Sequence, residues 1–295
     1  MRNPLGYLLC LCCACVALVC ATSCTWTTPK EKPIVTVTIL PQKYFAESIA
    51  GDRFEINCIV PAGSNPEAYD PSPSHLVHLG KSIAYFRIGQ IGFEVAWMDK
   101  LVQNNPTMKV YDNSSGVRMI AGVHAHHRDG KVHNTIDVDP HIWSSPKNAY
   151  IIARNMYEAF VELDPKGRDY YRDNYERLLD RISEVDSTVT EVLGRVPGKT
   201  FAIYHPTLTY LAEDYGVVQL SLENAGKESS ALYLKQVIDE ARESGVSTVF
   251  VQREFNAKQV ETFAAETGAR VTIINPLNYD WDKEIIRIAY AIAAE

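Results

Sequence analysis

From Tyr171 onward the apolar residues fall at Tyr171, Tyr175, Leu178, Ile182, Val185, Val189 and Val192, in steps of four and three with no glycine or proline between them. A spacing of this kind puts every one of these side chains on a single face of an α-helix of about six turns. Asp164-Pro165 ahead of it supplies an N-cap and a first-turn proline, and Gly194 with Pro197 ends it. A coiled-coil partner is one way to cover such a seam. What flanks the helix on both sides favours another, in which it lies across two lobes.

On the N-terminal side, β-branched and apolar runs alternate with helical patterns. Ile34–Leu40, Phe54–Val60, Ile83–Ile88 and Met108–Tyr111 read as strands, and Gln42–Ala50, Ser74–Lys81, Phe93–Val102 and Pro146–Leu163 as helices. On the C-terminal side the alternation resumes. Thr200–Ile203, Val217–Leu222, Thr248–Val251 and Arg270–Ile274 are strands, and Leu208–Tyr215, Leu232–Ser244, Ala257–Thr267 and Asp282–Ala294 are helices. Strands separated by helices predict parallel pairing. The expected class is therefore α/β: two α/β lobes, each with a central, mostly parallel sheet, joined by one long α-helix. The boundaries are 33–163 for the first lobe, 164–195 for the linking helix and 196–295 for the second. At 295 residues and 46% hydrophobic, the chain has enough apolar material for two cores.

Residues 1–23 read as a signal peptide, with Arg2 ahead of an apolar run from Leu5 to Val19 that is short for a membrane span. Two cleavage readings fit Ala21-Thr22-Ser23-Cys24. A signal peptidase cuts after Ser23, or Cys24 becomes a lipidated N-terminus; the second suits the polar tether of residues 24–32. Six of the seven cysteines lie at or before Cys24, so the exported domain keeps Cys58 alone and has no internal disulfide or cysteine-based zinc site. Its expected role is that of a small buried hydrophobe. A net charge of −7 without a basic stripe excludes nucleic acid as a partner.

Candidate chemistry gathers where strands end. Asp139-Pro140-His141-Ile142-Trp143, Tyr204-His205-Pro206, Asn65-Pro66-Glu67 and Leu277-Asn278-Tyr279-Asp280 each set a metal-competent side chain beside proline or an aromatic residue. A lone histidine next to tryptophan is more often packed than ligating, but four such settings in one chain point to a shared site. In open parallel sheets ligands bind beyond the carboxyl ends of the strands. Glu67, His141, His205 and Asp280 are thus expected to form one buried cation site in the cleft between the lobes. His124, His126, His127 and His133 make a short histidine-rich loop, read either as an auxiliary site of weak metal capture or as a solvated loop.

These motifs resemble those of the zinc- and manganese-binding proteins of bacterial ABC importers. Residues Pro61 to Ser74 are similar to that family's P-x-G-x-x-P-H-x-Y/F-E-P-x-P-S-D signature, Asp139 to Trp143 to its D-P-H-x-W, and Leu277 to Asp280 to its closing L-x-x-D. Glu254 falls where the family carries a glutamate near the cleft; Glu228 resembles its acidic rim but reads more simply as an exposed loop charge. The resemblance spans nearly all of the chain after the leader. It implies a rigid bridging helix, metal in the cleft, an ABC permease as partner, and a monomeric receptor in the periplasm or anchored to the membrane by lipid. One residue departs from the pattern, since Glu67 stands where the family has its first histidine ligand. Two imidazoles and two carboxylates move the donor set towards one that also suits manganese or ferrous iron and resembles the family's manganese branch. The histidine-rich loop instead resembles its zinc branch, and the expected cargo is Zn2+ first and Mn2+ second. If Glu67 lies outside the coordination sphere, water takes its place.

Two other functional classes are weighed against this one. A metal-dependent hydrolase needs an open coordination position and a compact motif such as H-E-x-x-H, which the chain lacks. A surface adhesin needs a cation-independent binding surface, and no stretch marks one. The expectation is a receptor for a divalent cation that is not an enzyme.

Overall fold

Two four-stranded parallel sheets carry the chain, and they are built alike. The first contains β1 (Ile34–Val37), β2 (Glu55–Cys58), β3 (Ser82–Arg87) and β4 (Lys109–Asp112) in the order β2-β1-β3-β4. The second contains β5 (Thr200–Ile203), β6 (Val218–Ser221), β7 (Thr248–Gln252) and β8 (Arg270–Ile274) in the order β6-β5-β7-β8. This is a computed structural model, and it describes residues 31–122, 138–223, 229–255 and 258–294. Both sheets belong to one compact unit, Pro33–Glu295. Cys24 and His124, His126, His127 and His133 lie outside the described residues.

The central strands are covered on both faces, so they read as continuous apolar runs rather than alternating ones. Val35 and Val37 of β1 are fully buried, as are Ala202 and Ile203 of β5. In each sheet the chain steps one way from the first strand to the second and then returns past the first to the third. The reversal opens a crevice at the carboxyl ends of β1 and β3 and another at those of β5 and β7.

Helices fill the connections: α1 (Leu40–Ala50), α2 (Pro73–Leu79), α3 (Gly92–Asn104), α4 (Pro146–Leu163), α5 (Arg168–Leu193), α6 (Thr209–Tyr215), α7 (Ala231–Glu243), α8 (Lys258–Thr267) and α9 (Trp281–Ala293). The long helix is present as α5. Its buried positions include Tyr171, Leu178, Ile182, Val185, Val189 and Val192, the seam read from the spacing. Tyr175 departs from the seam and stacks on Tyr157 of α4 instead, with centroids 4.8 Å apart. Asn174 takes a buried position and donates to the Ile49 carbonyl at 2.9 Å, tying α5 to α1. Asp164 does not cap the helix through its side chain, because that carboxylate accepts from the Tyr171 hydroxyl at 2.7 Å and from Arg53.

Helix α5 packs against α1, α4 and α9. One apolar cluster runs from Val35, Phe45 and Phe86 through Ile182 and Val189 to Phe201, Phe250 and Ile288, so the helix and the inner faces of both sheets share a core. Each sheet has a smaller cluster on its outer face, around Tyr85 and Phe93 in the first and Val249 and Phe263 in the second. Cys58 is half-buried in β2, and burial pushes its thiol up to about 12.

Candidate metal centre

Glu67 sits in the turn-rich connection that follows β2. Asn65 fixes it locally by accepting from the Glu67 backbone N–H at 2.9 Å. Its carboxylate lies against the start of α3, where Gly92 N–H donates to Oε2 at 2.9 Å. Only glycine fits at position 92, since a Cβ there would stand 2.2 Å from the Glu67 carbonyl oxygen. The other oxygen, Oε1, is buried without a hydrogen-bond partner among the described residues and lies 3.8 Å from His141 Nε2.

His141 is held by Asp139, whose Oδ1 accepts from both the His141 backbone N–H and Nδ1 at 2.8 Å. Tyr210 steadies that turn by donating to the Asp139 carbonyl at 2.7 Å. His205, two residues past β5, is held in the same way from the other half of the chain, with Nδ1 on Glu223 Oε2. Gln252 at the end of β7 accepts from the His205 N–H at 3.4 Å, and its amide donates to the His205 carbonyl and to Thr207. Phe255 stacks on the His205 ring at 5.0 Å. A carboxylate on Nδ1 makes Nδ1 the protonated nitrogen and Nε2 the one with the coordinating lone pair.

Glu67, His141 and His205 thereby offer one donor atom each, all within 4.8 Å of one another. Donors bound to one ion at 2.0–2.2 Å stand roughly 3.4 Å apart in a tetrahedron, so a small contraction closes the set. The space between them that a water-sized sphere can enter is about 10 Å³, room for one such sphere. Glu254, Trp143, Phe255, Pro276 and Leu277 complete its wall, and no lysine or arginine lines it. Donor set, buried bare oxygen and single-atom cavity all fit a divalent transition-metal ion.

The electrostatics are those of a cation trap. Burial disfavours the charged form of His141, yet Asp139, Glu67 and Glu223 outweigh it and raise its pKa above the ordinary histidine value. Asp139 is buried as well, which alone would raise it, but His141 beside it holds its carboxyl below the usual range. Burial raises Glu254.

Asp280 is not brought to this cavity. It stands just before α9, its side chain is 50% exposed, and Oδ1 pairs with Lys283 Nζ at 3.1 Å. The closing loop does reach the site, but through Pro276 and Leu277, and the turn into α9 carries Asp280 out towards solvent. Residues 123–137, with the four loop histidines, are flanked by an antiparallel bridge between Ala121 and Val138. Sequence reasoning missed the parts played by Gly92, Asp139, Glu223 and Gln252. Asp139 stands in a recognisable motif, whereas nothing around Glu223 sets it apart.

A family profile, the periplasmic zinc-uptake complex component A, matches residues 35–285. A crystal structure of ZnuA superposes with a TM-score of 0.81 at 35% identity, covering 89% of this chain and 98% of that one. The manganese ABC transporter substrate-binding lipoprotein PsaA of Streptococcus pneumoniae is 26% identical over 257 residues, 84% of this chain and 80% of that protein. The high-affinity zinc uptake system protein ZnuA of Bacillus subtilis is 23% identical over 254 residues, 84% of this chain and 79% of its own length.

Proposed function

The chain belongs to the family of the periplasmic zinc-uptake complex component A, and from that premise we propose that it is an extracytoplasmic receptor that binds one divalent metal ion and delivers it to the permease of an ABC importer. Zinc is the first candidate and manganese the second, the two metals named for its relatives. The observation that carries the reading is the convergence of Glu67, His141 and His205 within 4.8 Å, each imidazole backed by its own carboxylate. Such a site binds an ion among mostly buried side chains. It has no room for a substrate beside the metal, as a hydrolase would need, and relatives are transport receptors rather than enzymes.

The finer assignments belong to the same proposal. Cys24 carries the lipid anchor, residues 24–32 tether the protein to the membrane surface, and the receptor acts as a monomer. The lobes run over 33–163 and 196–295, with the linker at 164–195. His124, His126, His127 and His133 capture further zinc weakly. Among the described residues no helix is long and apolar enough to cross a membrane.

The test is competition binding of Zn2+ and Mn2+ to the metal-stripped chain. His141→Ala and His205→Ala should each abolish tight one-to-one binding while leaving the apo fold intact. Metal at a hundredfold excess over Kd should stabilise the wild type by ~2.7 kcal/mol and the double variant not at all. Equal affinity in the wild type and the double variant refutes the site.

A further inference from the structure

We propose that Glu254 supplies the fourth donor, a carboxylate oxygen, to the divalent ion held by Glu67, His141 and His205. The inference rests on the metal-receptor reading above and assigns a ligand within it.

Topology puts Glu254 there. β5 and β7 are neighbours across the crevice of the second sheet, and His205 and Glu254 each stand two residues beyond the ends of these strands, Ile203 and Gln252. Gln252 clamps the backbone of His205, so the two chain ends are fixed to each other as well as to the sheet. Glu254 lines the same cavity as the three other donors, with its carboxylate outside the set that lies within 4.8 Å, and besides Glu67 it is the only carboxylate in that wall among the described residues.

Charge balance gives the second argument. Glu67 and Glu254 bring two negative charges into a wall with no lysine or arginine, and Asp139 and Glu223 stand directly behind the imidazoles. Half-buried carboxylates without a lysine or arginine beside them are costly, and a divalent ion on Glu67 and Glu254 neutralises that pair. Asp280, half exposed, is already paired with Lys283. Two oxygens and two imidazole nitrogens then fill a tetrahedron, and the second oxygen raises the site's tolerance for the harder Mn2+.

The experiment uses the full metal-stripped chain with Zn2+, Mn2+ and Co2+ alone as probes, in the wild type, Glu254→Gln and Asp280→Asn. Co2+ is included because its visible absorption reports the number and type of donors. Glu254→Gln should weaken Zn2+ binding at least tenfold, weaken Mn2+ further, and change the Co2+ spectrum, with apo melting unchanged. Asp280→Asn should keep wild-type affinity and spectrum. A wild-type Co2+ spectrum and affinity in Glu254→Gln overturns the assignment, as does loss in Asp280→Asn with none in Glu254→Gln. His205→Ala separates the two levels of inference. If it too leaves binding unchanged, the receptor reading falls and Glu254 with it; if only Glu254→Gln is silent, the receptor reading stands with three protein donors.

Discussion

Each cleft histidine leans on a carboxylate through Nδ1, and the two pairs come from opposite halves of the chain: Asp139 with His141, and Glu223 with His205. Such partners fix the ring and make Nε2 a better base, and their loss typically costs 10–100-fold in metal affinity. Asp139→Asn and Glu223→Gln should therefore each weaken Zn2+ binding by about that factor without touching a donor atom. Competition against a chelator of known affinity checks this, and a change below threefold in both would show that the pairs serve packing instead. This is also the scale at which the sequence was hardest to read. His141 and His205 were visible because proline and aromatic neighbours single them out, although only His205 closely follows a strand. Glu223 was not, because its partner is 18 residues away and only the β5–β6 pairing joins them. Asp280 was misplaced for a related reason: spacing says that a residue follows a strand, but not which way the side chain leaves the turn.

The connection from β3 to α3 shows how an element is bound to the site. Glu94, in the first turn of α3, accepts from the backbone N–H groups of Ile88 at 2.7 Å and Gly89 at 2.8 Å, and from the Thr38 hydroxyl beyond β1. These bonds hold the loop that presents Gly92 to Glu67. Burial drives the Glu94 pKa up to about 7, against those hydrogen bonds and Arg87, whose Nε lies 3.9 Å away. The Tyr85 hydroxyl reaches the same group through Thr38. A carboxyl with a raised folded-state pKa binds more protons folded than unfolded, so stability declines as pH rises from about 4.5 to about 7 and then levels. The contribution is roughly 3 kcal/mol for a shift of this size. Thermal melting of wild type and Glu94→Gln across pH 4.5–8 should show the wild type losing ground to the variant over that window. Parallel profiles would mean that Glu94 titrates as an ordinary carboxylate. The helices and strands around this loop were legible to within a few residues, because burial on one face imposes a period on the sequence. The polar clamp was not, since Glu94 in a first helical turn reads as an ordinary surface acid.

Across the described residues, the two sheets repeat one strand order and send loops to one cavity, while α5 packs into the core that both share. Its 26 residues make a rod of about 39 Å. The spacing of its apolar seam was enough to foresee it, because no other local structure puts those residues on one face. The seam is buried in a cluster that includes residues of both sheets, so a hinge there would break backbone hydrogen bonds and open the shared core together. Rearrangement is cheaper where the cavity wall is loop, at Asn65–Glu67 and Pro276–Leu277. Trp143 and Trp281 brace the second of these, Trp143 Nε1 donating to the Pro276 carbonyl at 2.9 Å and Trp281 Nε1 to the Trp143 carbonyl at 2.7 Å. Metal uptake should thus alter local loop protection without closing one sheet onto the other. Small-angle scattering of the apo and zinc-loaded chain should return the same radius of gyration, and hydrogen exchange should slow at these loops and stay unchanged along α5. A measurable compaction on adding zinc, with exchange changes spreading into α5, would show that the helix bends and that binding is a closure of lobes.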